Sequence, residues 1–337
     1  MMSMDYRKLL LKKAMIPGSL GFLGDLALQL AKFYPRPLDT FSLLLFAGDH
    51  GIHGEGVTYS PQEITWQQTR SFASGGGACT LFAKLNGVDL KIIDVGVAGS
   101  FDPSTSVIDR KVGFGTKNFL HEQAMTDKEC ASAIEVGRAM SRSSGADLIG
   151  FGEMGVANTT SSSAIVAALL DRKPEEVTDG GSGLSEPDLR HKIEVIRKGL
   201  AFHPRRDPLD VLSAFGGFEH AAIVGGILEA YTMKKPILLD GFVVGAAALV
   251  AAMIDPNVKQ NFIFAHRSGM KGSGILLEAL GCTKPILDFG MYLGEGTGAL
   301  TAWPIVRQAS HILWEMSEFE QAEVTDSTAI LRSKGLL

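Results

Sequence analysis

Several features that would assign this 337-residue chain to a common class are scarce or missing. It has three widely spaced cysteines, Cys79, Cys130 and Cys282, and no CxxC pair, which predicts reduced thiols rather than a disulfide framework or a zinc site. Lys and Arg total 32 against 37 Asp and Glu, so no basic footprint for nucleic acid or an anionic membrane is present. The Walker A pattern is also missing, which disfavours P-loop phosphoryl transfer.

Long apolar segments are missing as well. The uncharged run 241–254 has 14 residues, whereas a transmembrane helix needs about 20, so the run predicts a buried core helix. Residues 1–13 alternate charged with apolar side chains and lack a signal-peptide core. These features, together with the reduced thiols, predict a cytoplasmic protein with neither membrane nor nucleic-acid partners.

Short apolar runs alternate with amphipathic stretches between about residues 40 and 300. Several runs are apolar at consecutive positions, which is typical of strands buried on both faces of a parallel sheet. The runs predicted as strands are 42–46, 90–95, 147–151, 236–239, 261–264 and 285–288. This alternation predicts an α/β fold with a doubly wound, mostly parallel, Rossmann-like sheet.

The chain ends differ from the middle, since both look helical with no strand between them. We therefore expect an α/β catalytic domain at 40–302 and a small helical domain formed by 1–39 and 303–337. Capping-box patterns at 126–129 and 185–188 predict two helix starts within the larger domain. The polar segment 99–123 is predicted to be a surface excursion.

The loop 48–56 follows the first predicted strand and holds two histidines and two carboxylates: Asp49, His50, His53 and Glu55. Such a cluster can bind a metal ion. However, the loop is rich in glycine, and no helix presents the ligands at i and i+4. A turn ordered by hydrogen bonds from Asp49 and His50 is favoured, and no metal is predicted.

The segment 150–155 matches G-x-G-x-x-G after a strand, the dinucleotide fingerprint. The acids at the expected distance, Asp171 and Glu175, lie in a polar, proline-bearing stretch instead of ending a second strand. Residues 158–160 can cap a helix from about 161 to 170, and such an N-terminus binds a single phosphate. A mononucleotide is favoured, and an NAD-dependent Rossmann oxidoreductase remains the alternative.

A second glycine-rich turn, 178–183, precedes a predicted helix that carries Lys192. Consecutive backbone N–H groups and a lysine can neutralise a phosphate. The alternative is a flexible turn beside a solvated lysine.

A single carboxylate, Glu295, lies between Gly294 and Gly296 at a strand-to-helix passage. The missing side chains let a substrate approach, and burial beside Tyr292 and Leu293 would raise the carboxyl pKa. A glutamate of this kind can act as a general base near neutral pH. The alternative is an acid that complements a helix dipole.

Seven stretches, in this order, resemble the nicotinate-nucleotide–dimethylbenzimidazole phosphoribosyltransferase family of cobamide lower-ligand assembly. They span about residues 48–300, and GEMGxxNTT together with LGEGTGA is highly specific. The matching stretches are GDHGIHGEGVTYSPQEIT (48–65), SGGGA (74–78), GEMGVANTTSSSA (152–164), GGSGLSEPDLRHKI (180–193), FGGFEHAAIVG (215–225), DGFVVGAAAL (240–249) and LGEGTGAL (293–300).

The resemblance implies a pentosyltransferase that needs no metal or bound cofactor. It would transfer 5-phosphoribose from nicotinate mononucleotide to an aromatic base, release nicotinate and form an α-riboside 5′-phosphate. It also implies a dimer, either of identical chains or with a paralogue. The residues assigned through it are Glu295 as general base, Glu153 near the ribose and nicotinate, Gly155, Asn158, Thr159, Thr160, Gly180, Gly181 and Lys192 for the donor phosphate and ribose, and Thr58, Tyr59, Trp66 and Leu293 for the acceptor.

The chain departs from the family pattern at two places. Trp66 stands where a polar residue is usual, which suggests a more apolar pocket suited to a phenol or cresol, unless Trp66 only packs within its helix. Residues 269–273 replace a loop of the type A-E-P-G-H, which suggests a noncatalytic paralogous subunit as a further alternative. The presence of both Glu295 and Lys192 argues against that alternative.

Overall fold

A computed structural model describes residues 5–181, 183–204 and 206–335, so residues 1–4 and 336–337 of the predicted helical domain lie outside the described part. The chain divides into two compact units. One comprises Met1–Asp39 and Trp303–Leu337, and the other comprises Thr40–Ala302.

The larger unit is built on a six-stranded sheet in which every pairing is parallel. The strands are β1 (Phe41–Gly48), β2 (Asp89–Gly96), β3 (Ile108–Asp109), β4 (Leu148–Met154), β5 (Ile237–Leu239) and β6 (Phe262–Phe264). All eight residues of β1 are buried, because β1 lies inside the sheet with both faces covered.

Helices separate and flank these strands. They are α1 (Tyr6–Leu11), α2 (Phe22–Ala31), α3 (Glu63–Ala73), α4 (Ala78–Asn86), α5 (Asp127–Ser143), α6 (Asn158–Leu170), α7 (Pro174–Val177), α8 (Glu186–Phe202), α9 (Pro208–Phe215), α10 (Phe218–Thr232), α11 (Phe242–Ile254), α12 (Ser273–Ala279), α13 (Thr297–Glu315) and α14 (Thr328–Ser333). Within the described ranges, no helix is both long enough and apolar enough to pass through a bilayer.

The strand order is β3-β2-β1-β4-β5-β6. The chain builds outward from β1 in one direction and then returns to β4 to build in the other. This confirms the predicted doubly wound α/β fold. It also places the topological switch point between β1 and β4, where open sheets of this type bind ligands beyond their carboxyl ends.

The core of the larger unit lies on both faces of the sheet. Helix α11 is buried along nearly its whole length, as predicted for the run 241–254. Helices α5 and α10 approach until their backbones touch: a Cβ at Gly137 would lie 1.7 Å from the Ala222 carbonyl oxygen, and one at Gly225 would lie 1.9 Å from that of Ile134. Glycine is therefore required on both sides of this crossing.

The smaller unit has its own apolar cluster. Ala27 and Ala31 of α2 pack with Ile312 and Leu313 of α13. Lys13 forms an antiparallel bridge with Glu318, and its Nζ donates to the Met316 carbonyl at 2.8 Å. The N- and C-terminal segments are thus held together by both apolar and polar contacts.

Three local predictions differ from the structure. Residues 285–288 form no strand, and only Leu287 makes an isolated parallel bridge, with His266. The segment 99–123 contains the short edge strand β3 and the fully buried Phe119, so it is not merely a surface excursion. Helix α6 begins at Asn158, about three residues early, and its N-cap, Ala157, has a left-handed φ of 73° and no side-chain cap.

Both predicted capping sites are present. Thr126 and Glu129 form a complete capping box at the start of α5. Ser185 caps α8 by accepting from the Asp188 backbone N–H.

Candidate active site

A cavity of about 680 Å³ opens at the carboxyl edge of the sheet. Glu153 at the end of β4, Asp240 directly after β5 and His266 after β6 contribute to its wall, and the loop 290–295 covers one side. Because all the strands are parallel, their carboxyl ends bring these polar residues together, although they are far apart in the sequence.

One end of the cavity is built to hold an anion. Asn158 and Thr159 line the cavity at the start of α6, where the helix dipole favours an anion, and the Asn158 backbone N–H is already bonded to the Gly155 carbonyl at 3.1 Å. Lys192 of α8 is buried, and its Nζ donates to Thr159 Oγ1 at 3.0 Å and to the Asp179 carbonyl at 3.3 Å. Burial lowers the pKa of Lys192 to about 8, against the opposing charge of Asp179. A phosphate bound here would restore full charge to the lysine.

Glu295 is held over the sheet by an unusual backbone. It has a φ of 61°, and the flanking Gly294 and Gly296 have φ values of 79° and 72°. The loop crosses β4 so closely that a Cβ at Gly152 would lie 3.0 Å from the Glu295 carbonyl group. The residue as a whole is 8% exposed, and its Oε2 is buried and has no hydrogen-bond partner. An unpaired buried carboxylate oxygen costs stability, which marks this residue as a functional candidate.

Three carboxyl groups share this part of the cavity. Burial raises the pKa of Glu153 to about 8, and the charges of Asp240 and Glu219 raise it further, while a hydrogen bond from Asn158 opposes them. Burial also raises the pKa of Asp240 and that of Glu295. Glu153 is thus mostly protonated at neutral pH and can donate a hydrogen bond.

The other end of the cavity combines apolar and uncharged polar side chains. Several come from α3, α4 and the segment before α3. The residues lining this end are Val57, Thr58, Ser60, Ile64, Gln68, Phe82 and Leu293. A flat aromatic ring with one polar edge suits such a surface.

Comparison with known proteins identifies the family. A family model described as phosphoribosyltransferase matches residues 2–324. The chain belongs to this family. The enzyme is therefore a pentosyltransferase, as the sequence predicted.

Individual relatives cover nearly the whole enzyme. It is 38% identical over 319 residues to a nicotinate-nucleotide–dimethylbenzimidazole phosphoribosyltransferase from Janthinobacterium sp. (strain Marseille), covering 93% of this chain and 92% of the relative. It is 41% identical over 319 residues to the protein of that name from Citrifermentans bemidjiense, covering 92% and 91%. It also resembles the crystal structure of CobT from Thermus thermophilus, with a TM-score of 0.91, 38% identity, and coverage of 95% of this chain and 98% of that chain.

Most of the residues assigned from the sequence line this one cavity. They are Thr58, Glu153, Gly155, Asn158, Thr159, Gly180, Gly181, Lys192, Leu293 and Glu295. Ser182, part of the predicted phosphate turn, lies outside the described residues.

Three assigned residues are not part of the cavity wall. Trp66 stacks on Phe101 with ring centroids 6.0 Å apart, and its indole N–H donates to the Ser100 carbonyl at 2.9 Å. The Tyr59 side chain is exposed, and its hydroxyl contacts Asp188. Thr160 is buried behind the α6 N-terminus, and its hydroxyl has no hydrogen-bond partner.

Sequence reasoning missed several cavity residues. Ser60, Ile64, Gln68 and Phe82 lie in or beside matching stretches but were given no role. Asp240 directly follows a predicted strand, so the rule that sites lie beyond the carboxyl ends of strands was a signal available for it.

The loop 48–56 takes part in a buried cluster behind the cavity. His50 Nε2 and His220 Nδ1 lie 2.6 and 2.8 Å from the same oxygen of Glu219, and the three side chains form a possible metal-ligand group. Ligand atoms around a tetrahedral zinc lie about 3.3 Å apart, given bonds of about 2.0 Å. The observed spacing is instead that of hydrogen bonds, and Ser161 and Ser162 contact the far ring nitrogens at 3.0 and 2.8 Å.

This cluster also has a clear electrostatic effect. Although burial alone would raise the pKa of Glu219, the two imidazoles hold it well below its usual range. The cluster joins the loop after β1 to the starts of α6 and α10. Its geometry favours a hydrogen-bonded brace over a metal centre.

Proposed function

We propose that the enzyme transfers 5-phosphoribose from nicotinate mononucleotide to an aromatic base of the benzimidazole class, and that Glu295 is the general base. One observation carries the proposal: a single cavity places a buried lysine at a helix N-terminus and a buried carboxylate with an unpaired oxygen. The names of the relatives support the choice of donor and acceptor.

The donor phosphate binds at the start of α6. Lys192 Nζ and the Thr159 hydroxyl bind the phosphate in this assignment, beside the α6 N-terminus and Gly181. Anchoring the phosphate fixes the ribose and directs C1′ toward the carboxylates. This positioning converts part of the binding energy into orientation of the reacting atoms.

The chemical step follows from the charges at the centre of the cavity. The C1′–N bond to the pyridinium breaks, its electron pair returns to the nicotinate nitrogen, and positive charge develops on the ribosyl centre. The carboxylate of Glu295, ionised for this step, stabilises that charge. Neutral Glu153, with a pKa of about 8, is assigned as a hydrogen-bond donor to the ribose or the departing nicotinate.

The acceptor attacks from the face opposite nicotinate, which inverts the β-linkage to α. A new C1′–N bond forms from the ring nitrogen of the base. The proton of the N–H group moves to the carboxylate of Glu295, a residue that lines the cavity. Glu295 must be ionised for this step, and its raised pKa makes it a stronger base than an exposed glutamate.

The acceptor ring is assigned to the end of the cavity lined by Ile64, Phe82 and Leu293, with Ser60 and Gln68 at its polar edge. The side chain of Trp66 does not enter this surface, so any effect of Trp66 on acceptor choice would act through the position of α3. A benzimidazole, with two ring nitrogens, uses the polar edge better than a phenol does.

We also propose that the unit Thr40–Ala302 is the catalytic domain and that the enzyme works as a dimer. The cavity lining supports the first point, since it falls entirely within that unit. Sedimentation equilibrium would test the second.

The test is an incubation with nicotinate mononucleotide and a panel of benzimidazoles, purines and phenols, with products identified by mass. We expect nicotinate release that depends on acceptor, and an α-riboside phosphate formed fastest with a benzimidazole. If a phenol reacts faster than every benzimidazole, the proposed acceptor class is wrong and phenols take its place. If no acceptor gives nicotinate release, and the enzyme instead reduces NAD with an alcohol substrate, the result favours an oxidoreductase.

A further inference from the structure

Asn158 contacts the carboxyl group of Glu153 in the cavity wall. Its side-chain amide donates a hydrogen bond to Glu153 Oε2. Both residues are buried, Asn158 in the first turn of α6 and Glu153 near the end of β4. The contact therefore links the helix that is assigned to the donor phosphate with the carboxyl group that is assigned to the ribose or the departing nicotinate.

The amide contact determines which oxygen of Glu153 carries the proton. A neutral carboxyl group has one hydroxyl oxygen and one carbonyl oxygen, and the carbonyl oxygen is the better acceptor. Since Oε2 accepts the amide hydrogen of Asn158, the hydroxyl is at Oε1. A Cβ at Gly294 would lie 2.2 Å from Oε1 but 3.9 Å from Oε2. The proton is thus directed toward the glycine that precedes Glu295.

Asn158 is itself held in place by the protein interior. Its backbone N–H donates to the Gly155 carbonyl, and its own carbonyl accepts from Ser162 Oγ at 2.9 Å. Ser162 Oγ lies 2.8 Å from Nε2 of His220, a ring of the buried brace. Because Ser162 donates to Asn158, it accepts from His220. The backbone of Asn158 is thus fixed, and its amide acts on Glu153 from a constant position.

We propose that Asn158 is a positioning residue that orients the neutral carboxyl group of Glu153, so that Oε1 presents its proton to the ribose or the departing nicotinate. The proposal rests on the proposed role of Glu153 as a hydrogen-bond donor. It gives Asn158 a function other than the phosphate contact that the family resemblance implies, and it leaves the phosphate to Lys192 and Thr159.

The other titratable groups of the cavity and of the brace, among the described residues, come from elements other than β4. They are Asp240 after β5, His266 after β6, Glu295 before α13, Lys192 of α8, and the brace of His50, Glu219 and His220. The charges of Asp240, Glu219 and Glu295 raise the pKa of Glu153, as burial does, and the hydrogen bond from Asn158 lowers it. Loss of Asn158 should therefore raise this pKa further, while the proton loses its fixed direction.

The experiment measures kcat against pH, at saturating donor, in full-length variants. Asn158→Ala removes the amide, and Asn158→Asp replaces the donor with an oxygen of similar size. In both variants we expect kcat near neutral pH to fall about 10-fold and the alkaline limb of kcat to move up by roughly 0.5 to 1 pH unit, while donor KM stays close to wild type. Asn257→Ala is the matched control, because Asn257 donates its amide to Asp255 at 2.9 Å on the exposed surface.

An alkaline limb that coincides with that of wild type would overturn the proposal. A raised donor KM with unchanged kcat would also overturn it, because Asn158 would then be a phosphate ligand. Thermal unfolding identifies a variant that fails to fold, and the other variant then provides the comparison. Glu153→Ala tests the role of Glu153 separately: if it retains turnover, Glu153 is not the donor, whereas an inactive Glu153→Ala beside wild-type behaviour of the Asn158 variants refutes only the role of Asn158.

Discussion

Glu295 adopts a left-handed backbone that residues with a Cβ rarely take. The cost of that conformation, added to the cost of an unpaired buried oxygen, is not offset by any fold-stabilising contact of Oε2. Strain of this kind is typical of residues kept for their chemistry.

Replacing Glu295 with glutamine should lower kcat about 10²–10⁴-fold, because the amide keeps the shape of the side chain but accepts no proton. Donor KM should remain close to wild type, since Lys192 and Thr159, which are assigned to the phosphate, are unchanged. Steady-state kinetics with varied donor measure both values. The exposed Glu278→Gln is the matched control, and full activity in Glu295→Gln would reject the assignment.

Lys192→Ala should raise donor KM roughly 10- to 100-fold, the effect of losing a charged hydrogen bond. Since the pKa of Lys192 is about 8, the lysine loses its charge as pH rises through 8, and wild-type kcat/KM for the donor should fall there. The variant should lose the part of this fall that comes from Lys192, while the part that comes from Glu153, whose pKa is also about 8, should remain. Lys198→Ala, an exposed lysine on the same helix, should behave as wild type, and an unchanged donor KM in Lys192→Ala would exclude the phosphate contact.

At this scale the sequence identified residues that adjoin glycines, together with Lys192 on α8, but not the residues on the faces of α3 and α4. The glycines around Glu295 indicated a close approach of backbone and substrate. On α3, however, Ile64 and Gln68 face the cavity, whereas Trp66, two residues from each, lies about 200° around the helix. Which face of a helix meets a cavity depends on tertiary packing, which the local pattern does not contain.

Among the elements, the loop 290–296 has two glycines with very different surroundings. A Cβ at Gly294 would lie 2.2 Å from Glu153 Oε1, whereas one at Gly290 would meet nothing within 4 Å, although both residues have a positive φ. Substitution at Gly290 therefore measures backbone strain alone, whereas substitution at Gly294 adds a steric conflict with Glu153.

We expect Gly290→Ala to lose roughly 1–2 kcal/mol of unfolding free energy while retaining activity, because only the left-handed conformation is penalised. Gly294→Ala should lose a similar amount or more and most of its turnover, because the new methyl group displaces Glu153. Urea unfolding and kcat, measured on both variants, provide the test. Equal kcat in the two variants would show that the loop relaxes without disturbing the site.

Helices and strands were predictable where the local sequence pattern was strong and fitted only one type of secondary structure. The buried helix α11 and the strand β1 follow from their continuous apolar composition. The start of α6 was misplaced because Ala157 adopts a left-handed conformation that tertiary contacts impose. The run 285–288 resembles a strand in composition, but only Leu287 pairs with a neighbour.

For the whole molecule, the buried carboxyl groups make stability depend on pH. Glu153 has a pKa of about 8 in the folded state and an ordinary value of 4.5, so the folded state holds the proton more tightly. A raised carboxyl pKa means that stability falls as pH rises from about 4.5 to 8. For this residue alone the loss is at most about 5 kcal/mol.

Glu153→Gln should remove that dependence. We expect wild type to lose more unfolding free energy than Glu153→Gln between pH 5 and pH 8.5, because the glutamine carries no charge to desolvate. Urea unfolding at the two pH values measures the difference, with the exposed Glu278→Gln as control. A difference that is equal in the three proteins would mean that Glu153 is ionised throughout.

The overall topology was predictable because alternating strands and helices permit few arrangements. The β3 edge of the sheet was less predictable, because β3 has only two residues and its position depends on pairing with β2. The convergence of Glu153 and Glu295 was expected from the family resemblance, whereas Asp240, which lies near them in the cavity, was given no role.

The contact of α5 with α10 at Gly137 and Gly225 has a consequence for motion. Two helices whose backbones touch have no layer of side chains between them that could rearrange, so neither can slide or tilt alone. Amide protons of both helices should therefore exchange with deuterium at matched, slow rates, because the two helices unfold as one cooperative block.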